Sequence, residues 1–142
     1  TPIQLITTAA SIIKVEGGDA SFCSRNGKPD GKNYKAFSYP VGKRILSEET
    51  SATMRYVLEQ VVAEGSGRKA AVEGFSIGGK TATSEKLPEA EKNIISSFLG
   101  FAPANDPQVI ALITIDEPEG IYYGGTIAAP VIGTLFENIL PC

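Results

Sequence analysis

Two apolar runs, Ile94–Ala102 and Gln108–Ile115, stand on either side of Pro103-Ala-Asn-Asp-Pro107. Two prolines with Asn and Asp between them make a tight turn, so the runs must lie side by side as an antiparallel pair of strands. The first run partly alternates between apolar and small or polar residues. The second is nearly all apolar, which predicts a strand covered on both faces. A third strand, Phe75–Thr83, is expected just upstream; it is short, rich in Gly and carries threonines. A sheet of about three strands therefore anchors whatever fold this chain adopts.

Helices flank that sheet. Thr1 is placed to cap a first helix, with Pro2 at the position where no amide hydrogen is needed. Ile3, Ile6, Ala10 and Ile13 then recur at helical spacing, and Gly17-Gly18 is the expected stop. Ser47 caps a second helix, with Glu48 and Glu49 at the positive end of its dipole. Its apolar stripe is Met54, Val57, Leu58, Val61 and Val62, and Gly65 ends it. A third helix closes the chain on Ala128, Val131, Ile132, Leu135, Phe136, Ile139 and Leu140, with Pro130 in its opening turns. Residues 19–44 hold Asn26-Gly27 and Asp30-Gly31 turn signals and little apolar content, so an irregular excursion is expected there. The pattern is that of an α+β unit: an antiparallel sheet packed by helices.

Composition removes several chemistries. The 142 residues contain no His, so there is no Ser-His-Asp triad, no Cys-His dyad and no His-ligated zinc. Cys23 and Cys142 are too few for a zinc site or a disulfide framework. No metal or other cofactor is expected. A net charge of -3 gives no reason to expect nucleic acid. The longest apolar run, Val109–Ile113, is far too short to span a bilayer, so the chain itself is expected to be soluble. Charge is uneven: residues 19–46 hold six basic side chains against two acids, and residues 85–119 hold seven acids against two lysines. Two solvated faces of opposite sign account for this.

Gly74-Phe-Ser-Ile-Gly-Gly-Lys-Thr81 fits the phosphate-loop pattern G-x-x-x-x-G-K-T. That pattern works only between a buried strand and a helix whose N-terminus meets the phosphate. Here the preceding Lys69–Glu73 is a poor strand, and Pro88 follows with no apolar stripe before it. Serine motifs also occur: Ser11-x-x-Lys14, Ser66-x-x-Lys69 and Ser24-Arg-Asn26. With 11 Ser and 9 Lys in the chain, chance alone supplies about 0.7 of the first kind. Ser11 lies near a helix end and Ser66 in a glycine break, both poor settings for a lysine-activated nucleophile. Lys80-Thr81-Ala82-Thr83 fits its surroundings better. It follows Gly78-Gly79 on an expected edge strand, where small residues let a ligand pair with the backbone. The Lys supplies charge for a carboxylate, and the hydroxyls and an outward amide supply donors.

Five segments now stand in order: Thr1-Pro-Ile-Gln-Leu5, Ile45-Leu-Ser-Glu-Glu-Thr50, Gly79-Lys-Thr-Ala-Thr-Ser84, Ser97-Phe-Leu-Gly-Phe-Ala-Pro-Ala104 and Gly124-Gly-Thr-Ile-Ala-Ala-Pro-Val131. Together they resemble the C-terminal half of the transpeptidase domain of class B penicillin-binding proteins, nearest in flavour to the stage V sporulation protein D group. The resemblance covers nearly the whole chain, with 19–44 the least diagnostic part. It implies the penicillin-binding-protein/β-lactamase-like fold, with residues 1–142 as a partial domain.

The family carries S-x-x-K, S-x-N and K-T-G motifs. In family order the segment like Thr1–Gln4 follows the first two. The resemblance therefore places the nucleophilic Ser upstream of Thr1 and makes the hits at Ser11, Ser24 and Ser66 coincidental. It implies that Lys80 attracts the carboxylate of a peptidoglycan stem peptide or a β-lactam, and that Thr81 and Thr83 help bind it. It further implies that the Thr83 amide is half of an oxyanion hole. Ala82 stands where the family usually has Gly. A parent enzyme would be membrane-anchored with this domain outside the cytoplasm, cross-linking peptidoglycan through an acyl-enzyme, while this chain alone would not turn over. The upstream half of the domain would be its partner. Without it, the strand at 109–115 would be a bare apolar edge open to self-association. Two alternatives stay open: a transpeptidase-like module used for partner contacts without catalysis, and magnesium-dependent nucleotide binding at Gly74–Thr81.

Overall fold

The computed structural model describes residues 1–13, 46–86 and 94–141. The excursion at 19–44, the Gly17-Gly18 stop, Lys14, Ser24 and both cysteines lie outside the described residues.

The antiparallel pair forms as the turn requires. Strand β2, Ile94–Ala102, pairs with β3, Val109–Asp116, with Phe98 opposite Ile113 and Leu99 opposite Leu112. Strand β1, Gly78–Glu85, pairs antiparallel with the other side of β2. The sheet order is β1-β2-β3. The strand starts later than the expected Phe75 because the chain is still turning there. Gly74 sits at φ +84 and the Phe75 amide bonds the Val72 carbonyl at 3.2 Å. β3 packs on both faces as expected, Val109, Ala111, Ile113 and Ile115 against one core and Ile110 and Leu112 against the other, but at the edge of the described sheet most of its positions stay half-buried.

Helix α1, Pro2–Ile13, starts where Thr1 and Pro2 predict, and its Gln4 amide bonds the Thr1 hydroxyl at 3.3 Å. Helix α2, Glu48–Ala63, begins at Ser47, whose hydroxyl accepts from the Thr50 amide at 3.1 Å. The expected third helix is two pieces, α3 at Gly124–Ile127 and α4 at Ala129–Ile139. Pro130 has no amide hydrogen for the Thr126 carbonyl, so the coil breaks at Ala128.

Alternation along β2 splits the core in two. Phe98 and Ala102 point to one face, with Val62, Ile132 and Phe136. Leu99 and Phe101 point to the other, with Ile13 and Ala104. Fully buried Phe98, Phe101 and Phe136 each contribute roughly 1.5–3 kcal/mol through lost apolar surface. The apolar stripes are wider than the buried rows. Ile3 on α1, Met54 and Val57 on α2, and Val131, Leu135 and Ile139 on α4 remain exposed.

Helix α2 also closes the end of α1. The buried Ser51 donates its hydroxyl to the Ile12 carbonyl at 2.6 Å, and Arg55 Nη1 donates to the Ile13 carbonyl at 2.8 Å and to Ser51 Oγ at 3.0 Å. These bonds satisfy carbonyls that a helix end leaves unpaired. Among the described residues, no helix is long and apolar enough to cross a membrane.

Candidate active-site wall

Residues Lys80–Thr83 lie in the middle of β1, opposite Leu99, Phe98, Ser97 and Ser96. A phosphate loop would need Lys80 and Thr81 to open a helix; both are in a strand, so the nucleotide reading fails on geometry. Residues directly opposite in an antiparallel ladder share a face. Lys80 and Ala82 therefore belong to the face of Leu99 and Phe101, and Thr81 and Thr83 to the face of Phe98.

The Lys80 ammonium bends along the strand. It donates to the Thr81 carbonyl at 2.9 Å and lies 3.4 Å from Thr81 Oγ1. In an extended strand the N–H and C=O of a residue, and of the residue two further on, share one edge. The Thr83 amide thus lies along the edge on which the Lys80 ammonium meets the Thr81 carbonyl. Thr83 Oγ1 accepts from the Gly124 amide at 3.2 Å, which leaves its own proton to donate elsewhere.

Gly78 and Gly79 have a packing role in the core. Both are buried. A Cβ at Gly78 would meet the Phe101 ring at 2.2 Å, and one at Gly79 would meet the Phe98 ring at 2.6 Å. The glycines make room for the two core rings. Further along, Gly124 seats α3 on the sheet: its Cβ would lie 2.4 Å from the Ser97 carbonyl and 2.5 Å from that of Ala82.

Beside Lys80 and Ala82, a cavity of about 200 Å³ opens between the sheet and the helices, lined by Leu5, Met54, Leu58, Leu99 and Leu112 among others. On the other side, Tyr122 and Tyr123 precede α3 with ring centroids 4.7 Å apart. The Ser96 hydroxyl donates to the Tyr122 carbonyl and pins this corner to β2. A hydrogen bond with the Tyr123 hydroxyl holds the Tyr122 phenol above its ordinary 10.0. Sequence reasoning passed over this pair, whose signal was two adjacent aromatics directly before Gly124-Gly125.

The serines separate. Ser11 bonds back to the Thr8 carbonyl at 2.7 Å, within its own helix. Ser66 instead reaches the site, with its Oγ 3.4 Å from Thr81 Oγ1.

Lys80-Thr81-Ala82-Thr83 thus lies on an edge strand of the described antiparallel sheet, which has helices on both faces. The family described as penicillin binding protein transpeptidase domain matches residues 1–139, and the chain belongs to that family. The chain is 48% identical over 114 residues to stage V sporulation protein D of Bacillus subtilis (strain 168), covering 78% of this chain and 18% of that protein. It is 42% identical over 106 residues to the probable peptidoglycan D,D-transpeptidase PenA of Neisseria flavescens, covering 71% of this chain and 26% of that one. Among solved structures it is similar to the transpeptidase domain of Burkholderia pseudomallei penicillin-binding protein 3. There the TM-score is 0.64 at 33% identity, with 78% of this chain and 34% of that chain covered. The chain thus spans about a quarter or less of these curated relatives and about a third of that domain.

Proposed function

We propose that this chain forms one wall of the active site of a peptidoglycan D,D-transpeptidase. The observation that carries the reading is the placement of Lys80-Thr81-Ala82-Thr83 on an edge strand, with the ammonium and the Thr81 hydroxyl brought together. Lys80 supplies the positive charge and Thr81 the hydroxyl for the carboxylate of a stem peptide or a β-lactam. The Thr83 amide is one donor of the oxyanion hole. The Ala82 methyl, the smallest change from Gly, narrows the approach to the strand without closing it.

The nucleophilic Ser and the second oxyanion donor belong to the upstream half of the same domain. That half also covers the exposed apolar side chains Leu5, Met54 and Val57. The parent protein is anchored at the outer face of the membrane, where its substrate lies, and needs no cofactor.

Intact mass after incubation with a reactive β-lactam tests this, on the 142-residue chain and on one extended upstream. One adduct on the longer chain alone supports the reading. An adduct on the shorter chain refutes it and directs peptide mapping to Ser11 and Ser66. No adduct on either favours a non-catalytic binding module.

A further inference from the structure

Ser66 looks like a chance match in the sequence, yet the fold delivers it to Thr81. It sits in the turn after α2. There the Gly65 amide bonds the Gln60 carbonyl at 3.1 Å and the Gly67 amide bonds the Val61 carbonyl at 2.9 Å. Both neighbours of Ser66 are thus tied to the last turn of the helix, which fixes the Ser66 backbone beside β1.

Gly125 packs against both Ser66 and Thr81. A Cβ at Gly125 would lie 3.0 Å from the Thr81 methyl and 2.4 Å from the Ser66 carbonyl. The bare Gly125 therefore receives the methyl, and Oγ1 is turned toward Ser66 Oγ and Lys80 Nζ, each at 3.4 Å. A threonine oxygen has two lone pairs and one proton. An ammonium can only donate, so Lys80 takes one lone pair. If the Ser66 hydroxyl donates to the other, the Thr81 proton has only the ligand side left.

We propose that Ser66 is a positioning residue that occupies the second lone pair of Thr81 Oγ1 and so makes Thr81 an obligate donor to the ligand carboxylate. This rests on the transpeptidase reading above. Without the Ser66 hydroxyl, Thr81 Oγ1 has an open acceptor site, and its proton is no longer committed outward.

The experiment measures acylation of the upstream-extended chain by a fluorescent penicillin, separating the binding constant from the acylation rate. Ser66→Ala weakens binding by about three- to tenfold, the scale of one modest hydrogen bond, with the acylation rate unchanged. Ser66→Thr keeps a hydroxyl and restores binding. In a Thr81→Val background, Ser66→Ala has no further effect. Unchanged binding in Ser66→Ala, or an equal loss in the Thr81→Val background, overturns the inference alone. Absence of acylation in the unsubstituted longer chain overturns the transpeptidase reading and the inference with it.

Discussion

Gly124→Ala probes the join between α3 and the site wall. The added Cβ would sit 2.4 Å from the Ser97 carbonyl oxygen and 2.5 Å from the Ala82 carbonyl oxygen. Ordinary carbon–oxygen contacts start at about 3.3 Å, so the backbones must part by about 0.8–0.9 Å. Both obstacles are main-chain atoms of paired strands, and no side-chain rotation relieves them. Overpacking of this kind costs about 1–3 kcal/mol. The 3.2 Å bond from the Gly124 amide to Thr83 Oγ1 lengthens with the shift, which adds to the loss. Urea unfolding followed by circular dichroism reads the cost as a lower midpoint at constant slope. Gly120→Ala is the control. Gly120 has φ +81, and an added methyl there would find nothing within 4 Å. Its cost is backbone strain of about 1–2 kcal/mol, with no shift of the wall. Backbone amide shifts of Ala82 and Thr83 therefore move in Gly124→Ala and stay put in Gly120→Ala. A Gly124→Ala chain with unchanged midpoint and unmoved amides at 82 and 83 refutes the packing argument.

The remaining predictions concern the scaffold. Ser51→Ala removes a 2.6 Å bond to the Ile12 carbonyl from a buried site, and destabilises the chain by about 1–3 kcal/mol in the same urea assay. Faster hydrogen exchange at the C-terminal end of α1 accompanies it, and protection equal to the parent chain there counts against the capping role. Lys86 bridges Asp116 and Glu117, and hydrogen bonds to these carboxylates, Asp116 first, raise its pKa above 10.5. A raised folded-state pKa means the contribution is complete below the unfolded value of 10.5 and is lost as pH climbs through the folded value. Lys86→Met should therefore flatten that alkaline fall in stability, and an unchanged pH profile excludes the linkage. β3 has only β2 beside it among the described strands, so the chain is expected to self-associate through 109–115. Sedimentation should show dimer growing with concentration while β3 amides gain exchange protection; a concentration-independent monomer refutes it.

What was legible in the sequence is what local chemistry decides. The prolines at 103 and 107 dictated the β2–β3 turn, and β2 runs over Ile94–Ala102 as its pattern requires. Ser47 with two glutamates behind it marked the start of α2, and the five ordered motifs pointed to the family without help from the fold. What stayed hidden depends on groups far apart in the chain. Nothing near Ile12 announces that Ser51 and Arg55 will take its helix's last carbonyls. Nothing near Gly78-Gly79 announces the rings of Phe101 and Phe98, so an open edge and a packed seat read alike. Ser66 is the sharpest case, because 15 positions separate it from Thr81 and only the turn after α2, folded back against β1, brings them together. As a motif, Ser66-x-x-Lys69 is no more than chance supplies, and that reading alone hides a different use of the same hydroxyl. A serine that fails the test for attacking a carbonyl can still decide where a neighbouring proton points. That distinction lies in the geometry of lone pairs, which spacing along a chain does not encode.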